Sequence, residues 1–126
     1  MPGVSWDPSA FHELAGVREI QVVVPAPGRP AVRAPIWVVA VGGQLYVRSW
    51  KGDAGRWYRR ARRYHDGSVI SGRREHHVRF VPVGDPELDA AIDVQFLTKY
   101  RKSRYAQAMI DPPAAGTTLR LEPRSG

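Results

Sequence analysis

The sequence contains no cysteine, which excludes disulfide bonds and thiolate metal sites. It has no apolar run near the ~20 residues that a membrane-spanning helix requires. Its first residues lack the basic and apolar regions of a secretory signal peptide, so we expect a cytoplasmic protein without a membrane partner. The length of 126 residues, with 43% hydrophobic and 25% charged residues, predicts one globular domain over 1–126.

Several catalytic and metal-binding motifs are also missing. No serine lies in a Gly-x-Ser-x-Gly elbow, and His12-Glu13 lacks the second histidine of the zinc-protease motif. His76 and His77 are adjacent in a predicted strand, so their side chains point to opposite faces and cannot bind one ion together. We therefore predict no metal site and name no catalytic residue.

Acidic residues are scarce relative to basic ones. The chain has 12 Asp and Glu against 19 Lys and Arg, which gives a net charge of +7. This excess indicates an anionic partner, although an arginine-rich composition with much Ala, Gly and Pro is also typical of a GC-rich genome. Clustering of the charges is therefore more informative than their total.

The densest cluster lies in a predicted helix at 56–64. At about 100° per residue, four arginines fall within one arc of roughly 100°: Arg56, Arg59, Arg60 and Arg63. The adjacent arc carries Trp57, Ala61 and Tyr64. The cationic face suits an anionic tail or a nucleic-acid backbone. A solvent-exposed helix whose aromatic side packs in the core is the alternative interpretation.

Two further helices have clear start signals. Asp7-Pro8-Ser9 predicts a short N-terminal helix within 1–17, and Asp85-Pro86-Glu87 predicts the start of a late amphipathic helix over 85–101. The late helix carries Leu88, Ile92 and Phe96 four residues apart, so we expect one buried face. Asp89 and Asp93 are interpreted as part of its polar face.

Alternation of apolar and polar residues predicts six strands, at 18–24, 36–41, 44–50, 68–71, 75–83 and 117–122. Gly42-Gly43 fits a two-residue hairpin turn. The proline-rich stretch 25–30 is predicted to be a loop, because proline cannot continue a strand ladder. Together with about three helices, these strands predict a mostly β, α+β fold with a small, mainly antiparallel barrel.

The most informative stretch runs from the strand at 44–50 into the helix at 56–64. The intervening loop Ser49-Trp50-Lys51-Gly52 leads to a helix N-terminus, where free amides and the helix dipole favour an anion. Lys51 adds a full positive charge, and Trp50, Trp57 and Tyr58 offer a stacking surface. This combination suits a ligand with a flat ring and an anionic tail. It is weaker than a P-loop, and an exposed turn is the alternative.

These segments resemble a known group of proteins. Gly28-Arg29-Pro30 with Arg33-Ala34-Pro35, then Ser49-Trp50-Lys51-Gly52, then Trp57-Tyr58 are similar to segments of the split β-barrel proteins that bind flavin or deazaflavin. The nearest groups are the deazaflavin-dependent nitroreductase-like proteins and a related domain-of-unknown-function family. Likeness to the latter covers nearly the whole chain. It implies a flavin-reductase or pyridoxamine-phosphate-oxidase-like split barrel and a homodimer, since dimers are common among the relatives.

The resemblance also implies site residues. Arg33 and Lys51 correspond to the phosphate partners, while Ser49 and Gly52 correspond to hydroxyl and backbone donors. The full predicted cofactor-binding set is Arg33, Pro35, Ile36, Trp37, Ser49, Trp50, Lys51, Gly52, Trp57 and Tyr58. Two positions depart from the relatives: Trp50 is inserted between Ser49 and Lys51, and Ala34 replaces a frequent hydroxyl residue.

Three functions remain open from the sequence. The first is an oxidoreductase that uses FMN or a deazaflavin coenzyme to pass hydride to a small organic acceptor, such as a quinone, nitro compound or activated alkene. The second is a non-enzymatic binder of nucleic acid through 56–63. The third is a cofactor-less assembly module that uses its four tryptophans at an interface. Trp37 fits either the core or a cofactor wall, and no argument singles out Tyr100 or Tyr105.

Overall fold

The computed structural model describes residues 5–124. Its helices are α1 (Pro8–Gly16), α2 (Arg56–Tyr64) and α3 (Pro86–Lys99), with 3₁₀ turns at Gly52–Ala54 and Gln107–Met109. No helix within 5–124 is long and apolar enough to cross a membrane. The strands are β1 (Ile20–Ala26), β2 (Arg29–Ile36), β3 (Val39–Val41), β4 (Gln44–Val47), β5 (Asp66–Ser71), β6 (Arg74–Pro82) and β7 (Leu119–Pro123).

All seven strands belong to one curled antiparallel sheet, in the order β2-β1-β5-β6-β7-β4-β3. The predicted fold class, an α+β split barrel with mainly antiparallel strands, is confirmed. The predicted count of six strands is wrong by one. The start signals of two helices act as expected: the carboxylate of Asp7 accepts a hydrogen bond from the amide of Ala10 (3.1 Å), and that of Asp85 accepts one from the amide of Leu88 (2.8 Å).

The missed strand is β2, which begins inside the stretch predicted to be a loop at 25–30. Its prolines are tolerated because β2 is an edge strand, largely exposed along its length. The register of β1 against β2 shifts beside Pro25, and Gly28 makes the turn between them with a φ of 69°. Proline therefore marks an edge and a bulge here, and the strand ladder continues around it.

The predicted strand at 36–41 is also wrong as a single element. β2 ends at Ile36 and β3 begins at Val39, and these two strands form the opposite edges of the sheet. Trp37 and Val38 carry the chain from one edge to the other, which the curl of the sheet brings within reach. Helix α3 holds this crossing, because the Val38 amide donates to the Tyr100 hydroxyl (3.2 Å) and the Val38 carbonyl accepts from the Lys99 ammonium (2.6 Å).

Two clusters of buried side chains stabilise the fold. The larger joins the strands to α1 and α2, and includes Val22, Leu45, Val47, Val69, Val78, Phe80, Leu119 and Leu121 with Leu14, Trp57 and Ala61. The smaller lies under α3 and includes Val39, Tyr46, Ile92, Phe96, Tyr100 and Met109. Helices thus cover both faces of β4, so Tyr46 is buried as well as its neighbours Leu45 and Val47. Each buried side chain of this size contributes roughly 1.5–3 kcal/mol relative to exposure.

Candidate functional site

A cavity of about 500 Å³, called here the main cavity, opens where the ends of β2 and β4 meet the start of α2. It brings together eight of the ten predicted cofactor-binding residues: Arg33, Pro35, Ile36, Trp37, Ser49, Trp50, Lys51 and Trp57. The other lining residues are Glu19, Val32, Ala34, Arg48, Ala54, Gly55, Arg56, Tyr105 and Met109. Gly52 and Tyr58, also predicted, are buried residues that do not line it.

The loop after β4 is held by its own hydrogen bonds. The Ser49 hydroxyl donates to the Gly52 carbonyl (2.8 Å), and the Gly52 amide donates back to the Ser49 carbonyl (2.9 Å). The Gly55 amide also donates to the Gly52 carbonyl, at 3.1 Å. The hydroxyl of Ser49 and the amide of Gly52, which the resemblance implies as donors to a phosphate, are therefore engaged within the loop. The side chains that the loop exposes toward a ligand are those of Trp50 and Lys51.

The N-terminus of α2 borders the main cavity without a side-chain cap. A Cβ at the capping residue Gly55 would lie 2.5 Å from the Ser49 hydroxyl, so the close packing of the loop requires glycine there. The first-turn amides of Arg56, Trp57 and Tyr58 have no acceptor within the helix. Because Gly55, Arg56 and Trp57 line the cavity, these amides and the helix dipole favour an anion at this end.

Three exposed cations line the same cavity: Arg33, Lys51 and Arg56. None of them forms an ion pair with a carboxylate of residues 5–124. The acidic lining residue is Glu19, which is exposed at the rim. The lining thus carries an excess of unneutralised positive charge, and an anionic group of a ligand would be bound without displacing an internal partner.

Arg48, which the sequence analysis did not select, also lines the main cavity but is only 2% exposed. Its guanidinium donates to the Thr118 hydroxyl (2.9 Å), the Asp93 carboxylate (2.5 Å) and the Met109 carbonyl (3.0 Å). It also donates to the Asp89 carbonyl (3.3 Å), and the Asp89 carboxylate lies 3.6 Å away. Its donors are therefore largely occupied, so Arg48 is a structural cation that ties β4 to α3 and β7.

This network changes the interpretation of α3. Asp89 and Asp93 were interpreted as part of the polar face of this helix, and both bind the buried Arg48. Their spacing of four residues places both carboxylates on one side of the helix, which is the signal that could have revealed a basic partner. The missing information was that α3 covers the face of β4 carrying Arg48.

Trp37 forms a rigid part of the cavity wall. Its ring stacks flat on that of Tyr100, with centroids 3.8 Å apart and planes at 4°. The Tyr100 hydroxyl donates to the Arg18 carbonyl (2.7 Å), and burial raises the pKa of Tyr100 to about 12. Burial also lowers the pKa of the neighbouring Lys99 to about 8. Trp37 is thus half-buried and fixed on one face, and it lines the main cavity.

A second cavity of about 490 Å³, the arginine groove, runs along α2. It is lined by Ala26, Pro27, Arg29, Val32, Arg56, Arg59, Arg60, Arg63 and Tyr64, without any acidic side chain. The predicted arc of four arginines on α2 therefore lies on one surface. Arg60 is held in place by donation to the Pro30 (2.8 Å) and Val24 (3.3 Å) carbonyls. Arg56 and Val32 line both cavities, so the groove adjoins the main cavity.

The titratable residues do not assemble a metal centre. Among residues 5–124, no group of three or more His, Asp or Glu side chains is placed to hold an ion. His76 is half-buried and His77 is exposed, as expected for neighbours on opposite faces of a strand. Neither lines the main cavity.

Solved structures of similar fold come from several proteins. HutZ, the haem storage protein of Vibrio cholerae, has a TM-score of 0.72 at 11% identity, covering 97% of this chain and 92% of its own. An FAD-binding protein of Mesorhizobium loti has a TM-score of 0.61 at 12% identity, covering 95% and 91%. An F420 reductase has a TM-score of 0.57 at 15% identity, covering 90% and 92%. These likenesses confirm the split-barrel fold.

Sequence comparison gives the family. No curated protein matches the chain. A family profile described as an uncharacterized protein conserved in bacteria, DUF2255, matches residues 11–121, which is most of the chain. The resemblance drawn from the loop, the helix start and the late helix is thereby confirmed, and this chain belongs to the DUF2255 family.

Proposed function

We propose that this protein binds a flavin or deazaflavin coenzyme in the main cavity and transfers hydride between that coenzyme and a small organic acceptor. The observation that carries the proposal is the main cavity itself, which combines aromatic walls with unpaired cations at an open helix N-terminus. The FAD-binding protein and the F420 reductase among the structural neighbours support the same ligand class. When bound, such a coenzyme supplies the hydride chemistry.

The residues of this chain would bind and orient the coenzyme. Lys51, Arg33 and the first-turn amides of α2 suit its phosphate, because no ion pair within residues 5–124 neutralises these cations and the amides have no acceptor within the helix. Trp37, fixed by Tyr100, suits one edge of the flat ring. Pro35, Ile36 and Trp57 exclude water from the same space.

The arginine groove favours a deazaflavin with an oligoglutamate tail over FMN. FMN ends at its phosphate, and the main cavity already provides cations for that group. A polyanionic extension passing Arg56 would reach Arg59, Arg60 and Arg63, where no carboxylate opposes it. Each added charge pair on this exposed surface is worth about 0.2–1 kcal/mol, so several together raise the affinity for a long tail severalfold.

The test is an equilibrium titration of the purified protein with FMN, with F420 and with haem, at low salt, followed by absorbance and coenzyme fluorescence. We expect micromolar binding of F420, weaker binding of FMN and no specific binding of haem, since no histidine lines the main cavity. Lys51→Ala should weaken both F420 and FMN about tenfold, because both carry the phosphate. Arg59→Ala with Arg63→Ala should weaken F420 only.

A matched control is Lys102→Ala, an exposed lysine that lines neither cavity, which should change neither titration. Flat titrations with FMN and F420 would remove the redox proposal. Equal losses for FMN and F420 in the double arginine variant would show that the groove does not hold a tail.

The arginine groove also supports the second candidate function, a binder of an anionic polymer. Tyr64, 37% exposed at the groove, adds a stacking surface of the kind that single-stranded nucleic acid uses. If a labelled oligonucleotide binds, its affinity should fall steeply with salt, and Arg59→Ala with Arg63→Ala should flatten that slope while Lys51→Ala changes it less. Should neither ligand class bind, the assembly-module proposal stands, and light scattering should then detect a homodimer.

A further inference from the structure

Three aromatic side chains of residues 5–124 are more than one-third exposed: Trp50 (56%), Tyr105 (48%) and Tyr64 (37%). Each of them lines a cavity, and Trp50 and Tyr105 line the main cavity together. Large aromatic rings left open to water at the mouth of a cavity mark a surface that a ligand covers. The pair Trp50 and Tyr105 is called here the rim pair.

The rim pair is assembled from two separate segments. Trp50 belongs to the loop after β4, and Tyr105 follows α3, yet their ring centroids lie 6.3 Å apart with the planes at 76°. The Tyr105 hydroxyl accepts a hydrogen bond from the Arg104 guanidinium (2.9 Å), and its amide donates to the Ser103 hydroxyl (3.1 Å). The edge-to-face arrangement leaves much of the exposed indole surface free for a flat molecule.

The rim pair differs from Trp37, the other aromatic wall suited to a ring. Trp37 is half-buried and stacked on the buried Tyr100. Trp37 thus offers one fixed, half-buried face and the rim pair an exposed one, so the two surfaces suit two different planar molecules. Hydride transfer requires the two reactants to lie about 3–3.5 Å apart with their faces aligned, so the hydride acceptor also needs a surface that orients its plane.

We propose that Trp50 and Tyr105 bind the planar face of the hydride acceptor, so that the protein selects an aromatic or quinoid acceptor over an aliphatic one. The role of the bound molecule as hydride acceptor rests on the proposed function. The binding itself is a property of the rim pair and is measured without the coenzyme. It also gives the inserted Trp50, which interrupts the Ser-Lys-Gly loop of the relatives, a role at the substrate.

Equilibrium dialysis with menadione, a flat quinone, tests the proposal on the coenzyme-free protein. Trp50→Ala should raise the dissociation constant about tenfold, Tyr105→Ala about threefold, and Trp50→Phe should restore most of the loss. Leu97→Ala is the matched control, because it removes an exposed apolar side chain that lines neither cavity and should change nothing. Cyclohexenone, a non-aromatic activated alkene, should bind weakly and equally to every variant.

The proposal is overturned if menadione binds the double variant Trp50→Ala with Tyr105→Ala as tightly as the unmodified protein, or if menadione does not bind the unmodified protein. Melting curves confirm that each variant is folded. The F420 titration then separates the two proposals, because the double rim variant should keep its F420 affinity within about twofold. A parallel loss of F420 affinity assigns the rim pair to the coenzyme and also overturns the acceptor role. Absence of coenzyme binding by the unmodified protein counts against the proposed function alone.

Discussion

The main cavity contains two kinds of cation that differ in what surrounds them. Arg48 at its floor is 2% exposed and is bound to two carboxylates, two carbonyls and a hydroxyl. Lys51 and Arg56 at its rim are exposed and form no ion pair within residues 5–124. The same charge therefore stabilises the fold in one place and is available to a ligand in the other.

Arg48 and Lys51 differ in pairing because different secondary-structure elements surround them. Helix α3 lies over the end of β4 and supplies the carboxylates that Arg48 needs, because a guanidinium removed from water without partners would cost several kcal/mol. Lys51, by contrast, is exposed, so it keeps its hydration and needs no internal partner. Burial with full pairing predicts a stability role, and exposure without pairing predicts a binding role.

The largest expected effect comes from replacing the buried cation, Arg48. Arg48→Met should lower the free energy of unfolding by about 3 kcal/mol, since it removes the cation that joins β4, α3 and β7. The cost stays at the low end because Asp89 and Asp93 are about one-third exposed and regain water. Urea denaturation measures it, with the exposed Arg73→Met as the control, expected within about 0.5 kcal/mol. Equal values for the two variants would contradict the structural role of Arg48.

The second prediction concerns the loop that presents Lys51. Gly52 has a φ of 63°, and an added Cβ would lie 2.6 Å from the Pro113 Cβ and 2.9 Å from its carbonyl oxygen. Gly72 has a similar φ of 61° but open space around it. Gly72→Ala should therefore cost only the backbone strain, about 1–2 kcal/mol, and Gly52→Ala about 1 kcal/mol more. Thermal unfolding compares them, and a matching loss in both would show that the Pro113 contact is unimportant.

The smallest expected effect concerns Lys99, a cation whose burial lies between that of Arg48 and that of Lys51. Burial lowers the pKa of Lys99 to about 8 from 10.5, so between these values the unfolded chain binds more protons than the folded one. The free energy of unfolding should therefore rise as the pH increases from about 8 to about 10. Above about pH 10 the raised pKa of Tyr100 has the opposite effect, because the folded chain then binds more protons at that residue. Lys99→Met should flatten that rise, whereas the exposed Lys102→Met should leave it intact. A rise that persists in Lys99→Met would assign it to another group.

Local signals predicted the fold class and much of the candidate site. The aspartate caps of α1 and α3 depend on a side chain and an amide three residues away, so the sequence shows both partners. The loop after β4 and the arginine arc of α2 likewise each lie within one short segment of the sequence. Of the ten residues that the family resemblance implied for the site, eight line one cavity. Binding of a coenzyme by these residues stays a prediction.

The wrong predictions concern features that depend on contacts with segments distant in the sequence. Strand β2 was missed because its prolines are tolerated only at an edge, and edges are defined by the neighbours that a strand lacks. The run at 36–41 was read as one strand because apolar residues do not show where a chain changes partners. Arg48 was missed because its burial depends on α3, more than forty residues away.

The sequence by itself determined the helix starts, the alternation of the strands, the cationic loop and the arginine face, because these depend on contacts within a few residues. Only the tertiary structure decided that the sheet curls until its edge strands join through Trp37, that Arg48 is neutralised while Lys51 is not, and that the two cavities share Arg56. The physical reason is that burial and pairing are properties of what covers a residue, and here the covering segments lie far along the chain.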